Sequence, residues 1–130
     1  MKRKKFIDNY PDTAAKGAIR ELILSDEVSK GVIIVKQNRH IYESNGYVKG
    51  RSYIYGDVNT AQDLVNKYHG TGRIITHGEN EAWSKREVIT ADKNIGINID
   101  PITGKEMQTN RFTIHYSESG THIVPAKREG

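Results

Sequence analysis

Residues 111–125 read Arg111-Phe-Thr-Ile-His-Tyr-Ser-Glu-Ser-Gly-Thr-His-Ile-Val-Pro125, and this stretch is the most informative part of the chain. Side chains alternate between the two faces of a strand. One face therefore carries the apolar residues Phe112, Ile114 and Tyr116. The other face carries the polar residues Arg111, Thr113, His115 and Ser117. A turn at 119–120 leads into a second short strand, which we expect Pro125 to stop. The stretch predicts a hairpin with one buried face and one polar face.

The segments upstream of this hairpin predict two helices with apolar stripes. The first helix follows Pro11-Asp12-Thr13, and the second begins at Thr60 in a capping box and stops at Gly70. Their apolar residues recur at helical spacing. They are Ala15, Ala18, Ile19, Leu22 and Ile23 in the first helix, and Ala61, Leu64, Val65 and Tyr68 in the second.

Short β-branched or alternating runs predict the strands, and turn residues separate them. The continuous apolar run 32–35 predicts a buried strand, and further strands are expected at 72–77, 85–91, 95–99, 110–117 and 121–124. Successive short strands pair as an antiparallel meander. We therefore predict an α+β fold in which two N-terminal helices pack on one face of a 4–5-stranded antiparallel sheet. Residues 37–57 form a long irregular segment, and functional loops are common among such segments.

Composition excludes several classes of function. The 130-residue chain has no cysteine, which rules out disulfides, zinc–thiolate sites and a cysteine nucleophile. It has no run of about 18 apolar residues, so no membrane partner is expected. The terminal residues Lys2, Arg3, Lys4, Lys5, Lys127 and Arg128 supply six of the 20 basic groups, and Glu129 supplies one of the 16 acidic groups. That leaves 14 basic and 15 acidic groups in residues 6–126, so the net charge of +4 comes from the ends.

Two segments combine cations with other groups suited to a polyanion. Residues 30–52 hold five cations against the single acid Glu43, together with aromatic side chains. The candidates for binding RNA there are Lys36, Arg39, Tyr47, Lys49 and Arg51. The strand at 85–90 places Lys85 and Glu87 two residues apart on one face, where they suit a phosphate clamp and a general base. A solvated basic loop and an ordinary cross-strand ion-pairing face are the alternatives.

Five blocks of sequence occur in an order that resembles the polymorphic toxin type 50 domain. The blocks are 36–41, 47–53, 83–87, 109–117 and 120–125, and the resemblance covers 32–125. That family caps large bacterial toxins and also occurs at the C-terminus of phage minor head proteins. It implies a fold similar to the barnase, EndoU, colicin and RelE class of ribonucleases. Residues 42–45 depart from the family pattern, in which a Gly-Thr pair precedes the Asn.

The resemblance implies a metal-independent endoribonuclease domain that uses the 2′-hydroxyl of RNA as the nucleophile. Such a domain needs a base, an acid and a cation at the phosphorane. His115 is the leading acid/base candidate, with His40 or Glu87 as its complement. The candidate phosphate clamps are Arg51, Lys85 and Arg111, and the secondary candidates are Ser117, Thr121 and His122. No cofactor is expected. A three-histidine metal site built from His40, His115 and His122 is the less favoured alternative, because no pair of histidines has the i, i+4 spacing of zinc proteases.

The chain is divided into a basic segment with a helix at 1–30, a ribonuclease-like domain at 31–126 and a basic tail at 127–130. RNA is the expected substrate, and an immunity protein or a phage head protein is the expected protein partner. The site of action is then the cytoplasm of a target or host cell, or the virion. The alternative functions are a non-catalytic nucleic-acid- or protein-binding accessory domain of a phage head-morphogenesis protein, and a protein-binding module without activity.

Overall fold

This computed structural model describes residues 11–128. They contain three helices and seven strands, joined by turns and loops. In chain order they are α1 (Ala14–Leu24), α2 (Ile34–Asn38), β1 (Tyr53–Ile54), α3 (Val58–Tyr68), β2 (Arg73–His77), β3 (Ala82–Thr90), β4 (Gly96–Ile99), β5 (Glu106–Thr109), β6 (Arg111–Ser117) and β7 (Gly120–Ala126). The α+β class is confirmed. None of the helices in this part of the chain has the length and apolarity needed to cross a membrane.

The strands form two antiparallel sheets where the sequence predicted one. The larger sheet has the order β2-β3-β6-β7, and the smaller has the order β1-β4-β5. The strand predicted at 95–99, which is β4, therefore belongs to the smaller sheet and not to the expected meander. Strand β5 was not predicted because Glu106, Met107 and Gln108 are all exposed and show no alternation. A strand without a buried face leaves no period-2 signal in the sequence.

Strand β6 lies inside the larger sheet, and its side chains alternate as predicted. Phe112, Ile114 and Tyr116 are buried, and His115 lies on the opposite face, which is partly open to solvent. Helix α3 covers the buried face at Phe112, whose ring meets the Tyr68 ring edge to face at 6.0 Å. We call the buried side of this sheet the core face and the other side the histidine face. The predicted register of the strand is confirmed.

The two predicted helices are present, and the second begins earlier than expected. Helix α1 starts after Thr13, whose hydroxyl accepts from the backbone N–H of Lys16. Helix α3 starts after Asp57 rather than Thr60. The Asp57 carboxylate accepts from the backbone N–H of Asn59 and Thr60, and the Thr60 hydroxyl oxygen accepts from the backbone N–H of Asp57. Thr60 therefore takes the third position of the capping box and not the first.

The prediction of a buried strand at 32–35 was wrong. Only Val32 makes a strand-like bridge, to Thr121 of β7, and helix α2 begins at Ile34. Ile34 and Val35 are 59% and 70% exposed, so this apolar run does not enter the core. A run of four apolar residues has no period, and the tertiary contacts of Gln37 favour the helix instead. The Gln37 amide is buried and bonds both the N–H and the C=O of residue 123 in β7.

Pro125 does not stop the last strand, because β7 continues to Ala126 with Pro125 opposite Phe112. Strand β7 is the last strand of its sheet, and a proline is tolerated where its missing N–H faces away from the ladder. All three helices contact the larger sheet: α1 contacts β2 and β3, and α2 and α3 contact β7. The predicted pair of N-terminal helices on a single sheet is therefore replaced by three helices, the third of which follows β1.

Candidate active site

Three imidazole rings lie stacked in a row on the histidine face. The rings of His115 and His122 are 4.7 Å apart and tilted by 9°, and those of His122 and His40 are 6.3 Å apart and tilted by 12°. His122 therefore lies between the other two. We call this arrangement the histidine row.

Strand pairing and one loop hydrogen bond build the row. His115 and His122 are cross-strand partners in the β6–β7 hairpin, so both rings leave the sheet on the same side. His40 follows α2, which the Gln37 amide ties to β7. The Nδ1 atom of His40 lies 2.9 Å from the carbonyl oxygen of Ser52. A carbonyl only accepts, so Nδ1 carries the proton and neutral His40 keeps a lone pair on Nε2.

The pKa of each imidazole in the row is lowered from its ordinary value. Burial is the largest cause for all three. Arg86 and His40 further lower the pKa of His115, and Arg51 and Arg39 further lower that of His40. The pKa of His122 falls to about 4, mainly through burial and further through the neighbouring His115 and His40 and the cations Lys36 and Arg39. All three rings are therefore neutral at pH 7, and a proton placed on one ring disfavours a second.

Four cations surround the row, and one of them was not among the predicted site residues. Arg86 is the cross-strand partner of His115 in β3 and is exposed. The other three, Lys36, Arg39 and Arg51, act electrostatically on His40 or His122. Arg86 could not be predicted from the sequence because the register between β3 and β6, which places it opposite His115, depends on the whole sheet. The only available signal was a cation on the polar side of a neighbouring strand.

The row does not have the geometry of a metal centre. Within residues 11–128, no group of three or more His, Asp or Glu side chains is placed to hold a metal ion. The physical reason is the stacking, because nearly parallel rings turn their nitrogen atoms side by side rather than toward one point. Imidazole ligands of zinc instead converge on the ion at about 2.0–2.1 Å.

The assignment of Glu87 as a complement of His115 does not hold, because the two side chains lie on opposite faces of the sheet. Glu87 is fully buried on the core face. Its carboxylate accepts from the N–H of Gly70 at 3.0 Å, the N–H of Gly72 at 2.7 Å and the Tyr116 hydroxyl at 2.7 Å. Burial raises the pKa of this carboxyl group. The carboxyl group of Glu87 links the turn after α3 to strand β6 and is not accessible to a substrate.

Lys85 and Thr121 also lie away from the row. Lys85 sits in a bulge of β3 with a φ of 61°, and its Nζ lies 4.9 Å from the centre of the Trp83 ring. That ring packs against Tyr116 on the core face, at 5.2 Å. Thr121 is fully buried, and its hydroxyl donates to the Lys30 carbonyl at 3.2 Å. Neither side chain reaches a phosphate bound beside His115, which corrects both assignments.

Ser117 and Arg111 share the histidine face but lie at the two ends of β6. The Ser117 hydroxyl donates to the Gly120 carbonyl at 2.9 Å and closes the hairpin turn. Arg111 is four residues from His115, which places it about 13 Å along the strand. Its Nη1 donates to the Lys127 carbonyl at 3.4 Å. Arg111 is therefore too far along the strand to contact a phosphate beside His115. Arg86, the cross-strand partner of His115, lies closer to that position.

The remaining predicted RNA-binding residues, Tyr47 and Lys49, line a separate cleft that contains none of the three histidines. Tyr47 donates from its hydroxyl to the Arg51 carbonyl at 2.6 Å. Lys49 is exposed at the rim of the same cleft. The chain from Arg51 to Tyr53 joins this cleft to His40 through the Ser52 carbonyl.

Comparison with known protein families gives a match over most of the chain. A family model described as bacterial toxin 50 matches residues 32–125, which span α2 through Pro125 of β7 and include all three histidines of the row. Helix α1 lies outside the matched residues. A search of curated proteins found no match to the chain.

Proposed function

The chain belongs to the bacterial toxin 50 family, and on that premise we propose that it is a toxin-type endoribonuclease that cleaves RNA without a metal ion. One observation carries the proposal: three stacked imidazoles, two of them (His115 and His122) partly exposed on the sheet and the third (His40) 5% exposed, with Arg86, Arg39, Arg51 and Lys36 close enough to act on them electrostatically. Cleavage by a 2′-hydroxyl needs one group to accept a proton and another to donate one. It also needs positive charge at the phosphorane, where negative charge develops.

His40 takes the role of general base. His40 is 5% exposed, and its Nδ1–H bonds the Ser52 carbonyl, so the lone pair on Nε2 is the one left to take the 2′-hydroxyl proton at the boundary with the partly exposed His122 ring. The 2′-oxygen then bonds to phosphorus while the bond from phosphorus to the 5′-oxygen breaks. The first product carries a 2′,3′-cyclic phosphate.

His115 takes the role of general acid and donates its proton to the departing 5′-oxygen. Burial and the neighbouring Arg86 lower the pKa of the His115 imidazole, which makes the imidazolium a stronger acid. A bound phosphate offsets the surrounding positive charge and favours the protonated form in the complex. His122, whose pKa falls to about 4, stays neutral between the two rings and holds them apart.

The proposal is tested by incubating the purified protein with single-stranded RNA in excess chelator and identifying the product ends. We expect cleavage with 2′,3′-cyclic phosphate ends, and an all-DNA analogue of the same sequence should stay intact. His115→Ala should lower the rate by about 10²–10⁴, the usual contribution of a positioned acid or base. His40→Asn should do the same, because the asparagine amide keeps the bond to Ser52 and removes only the Nε2 lone pair.

His77→Ala is the matched control, because His77 is an exposed histidine in β2 whose Nδ1 pairs with Ser84 away from the row. That variant should cleave RNA at the wild-type rate. Cleavage that stops in chelator, or that degrades DNA equally, contradicts the mechanism. Inertness toward RNA together with tight binding to a virion protein would instead favour the accessory-domain function.

A further inference from the structure

Three tyrosine rings from the segment that follows His40 form an aromatic cluster, and one of them, Tyr53, directly follows the residue whose carbonyl bonds His40. Tyr42 lies 5.3 Å from Tyr47 and 5.0 Å from Tyr53, and Tyr47 meets Tyr53 edge to face at 5.9 Å. Tyr42 is 62% exposed although it belongs to the cluster. Exposed aromatic side chains beside a cationic surface are the usual platform on which single-stranded bases stack.

The tyrosine cluster is held in place by its neighbours. The Tyr47 hydroxyl donates to the Arg51 carbonyl, and the rings support one another. Tyr53 belongs to β1 and pairs with Ile97 of β4. Preorganised rings lose little conformational freedom when a ligand binds, which favours affinity.

A cleft of about 590 Å³ opens beside the cluster, and its charges differ from those of the histidine row. Tyr42, Tyr47 and Tyr53 form one wall, and Lys49, Asp100 and Glu106 also line it. The carboxylates outnumber the cation, so the cleft disfavours a phosphate. The histidine row, with its four cations, favours one. A nucleotide has a charged phosphate and an uncharged base, and the two surfaces match these two parts.

We propose that Tyr42, Tyr47 and Tyr53 form a nucleobase-binding subsite for the RNA nucleotide whose phosphate lies at the histidine row. The inference rests on the proposed function, because it assigns a base to the same substrate. The base stacks on Tyr42, the exposed ring of the three, with the half-buried rings of Tyr47 and Tyr53 behind it. Glu106 accepts from an N–H group at the base edge, whereas Asp100 is already occupied by the N–H groups of Ile102 and Thr103. Guanine presents its ring N1–H and its exocyclic N2–H side by side and can bond both oxygens of the Glu106 carboxylate, whereas uracil offers a single N3–H between two carbonyl oxygens, so guanine binds better.

The test is calorimetric titration of the wild-type protein with guanosine monophosphate, uridine monophosphate and ribose 5-phosphate, which lacks a base. Guanosine monophosphate should bind about 5- to 150-fold more tightly than ribose 5-phosphate, as expected for one stacked base. Tyr42→Ala and Tyr47→Ala should each remove most of this advantage and leave ribose 5-phosphate binding unchanged. Tyr47→Phe should keep it, because the ring remains.

Tyr55→Ala serves as the matched control. Tyr55 is an exposed tyrosine next to β1, but it does not line the cleft and pairs with Gln108 instead. This variant should bind all three ligands as the wild type does. Glu106→Gln should reduce the preference for guanosine over uridine monophosphate and leave ribose 5-phosphate binding unchanged.

The outcomes separate this inference from the proposed function. Cleavage of RNA by a protein that binds ribose 5-phosphate as tightly as the nucleotides would overturn the subsite and leave the ribonuclease standing. The same conclusion follows if Tyr42→Ala and Tyr47→Ala keep the full preference for a base. Base-dependent binding that needs these two tyrosines, in a protein that does not cut RNA, would support the subsite and overturn the nuclease.

Discussion

Glu87 shows how a charged residue on a strand becomes part of the core. Its carboxylate is enclosed by the N–H groups of Gly70 and Gly72 and by the Tyr116 hydroxyl. Arg20 of α1 adds a further link, because its Nη1 donates to the Gly70 carbonyl while Nε and Nη2 bond Asp12. A buried network of this kind is stable only when each member has its partners. Glu87 thus connects α1, the turn after α3 and the larger sheet.

Replacing Glu87 with glutamine tests this structural role. The glutamine side chain turns an amide N–H₂ toward one of the two backbone donors, and an unsatisfied buried group costs about 1–3 kcal/mol. We expect Glu87→Gln to lower the free energy of unfolding by that amount in denaturant titrations. The rate of RNA cleavage per folded molecule should not change. A selective loss of rate in a variant of wild-type stability would contradict the structural assignment.

The stabilisation of the folded protein by Glu87 depends on pH. Burial raises the pKa of Glu87 in the folded protein above its ordinary value of 4.5. The protonated carboxyl group of Glu87 therefore makes its full contribution to the free energy of unfolding below about pH 4.5. That contribution is lost as the pH rises through the pKa that Glu87 has in the folded protein. The stability advantage of the wild type over Glu87→Gln should narrow as the pH rises.

At the scale of elements, pairing between strands places the catalytic candidates. The β6–β7 ladder sets His115 opposite His122, and the β3–β6 ladder sets Arg86 opposite His115. A one-residue slip in either ladder would send one of these side chains to the core face. The bonds from the Gln37 amide to β7 hold α2 at the edge of the same ladder, and His40 follows directly. The row is therefore a property of three elements together.

This arrangement predicts the pH dependence of cleavage. Both His40 and His115 have pKa values lowered by burial and by neighbouring cations. We expect a bell-shaped profile of kcat/KM against pH with both limbs below about pH 6.5, since this ratio reports the free enzyme. Arg86→Gln removes one cause of the lowered pKa of His115, so the alkaline limb should move to higher pH. Lys93→Gln, in the loop after β3, should leave the limb in place. An alkaline limb that does not respond to Arg86→Gln would contradict the acid role of His115.

At the scale of the whole molecule, the location of charge matters more than its sum. The net charge of +4 comes from the termini, whereas the cations around the histidine row come from β3, α2 and the segment that follows it. Helix α1 lies outside the residues that match the family, yet it packs against β2 and β3 and bonds the Gly70 carbonyl through Arg20. The described part of the chain therefore includes one helix more than the family match.

The charge distribution predicts where RNA affinity resides. Deleting residues 1–5 should leave most RNA binding intact, whereas changing Lys36, Arg39 and Arg51 together to glutamine should remove it. The slope of log affinity against log salt should fall by about 0.7 for each phosphate of a single strand that the variant no longer neutralises. The matched control changes Lys93, Lys105 and Lys127 to glutamine, which alters the net charge equally. Loss of binding on deletion of residues 1–5 alone would contradict this prediction.

The features of this protein that can be predicted from its sequence are those set by local geometry. The two faces of β6 follow from the period of two in a strand, and α1 follows from its apolar stripe and its Thr13 cap. The stripe of α3 was equally clear, and only its first turn was misplaced. These features involve residues within one or two turns of each other, so their spacing in the chain is enough to reveal them.

Which of these side chains meet follows from the packing of the whole chain and not from their spacing. His40 and Arg86 reach the histidine row from distant parts of the chain, and the apolar run 32–35 becomes helical because Gln37 bonds β7. The burial of Glu87 and Thr121 likewise depends on which side of each strand the helices cover. Pairing register and packing are set by the whole molecule at once, and no local period in the sequence encodes them.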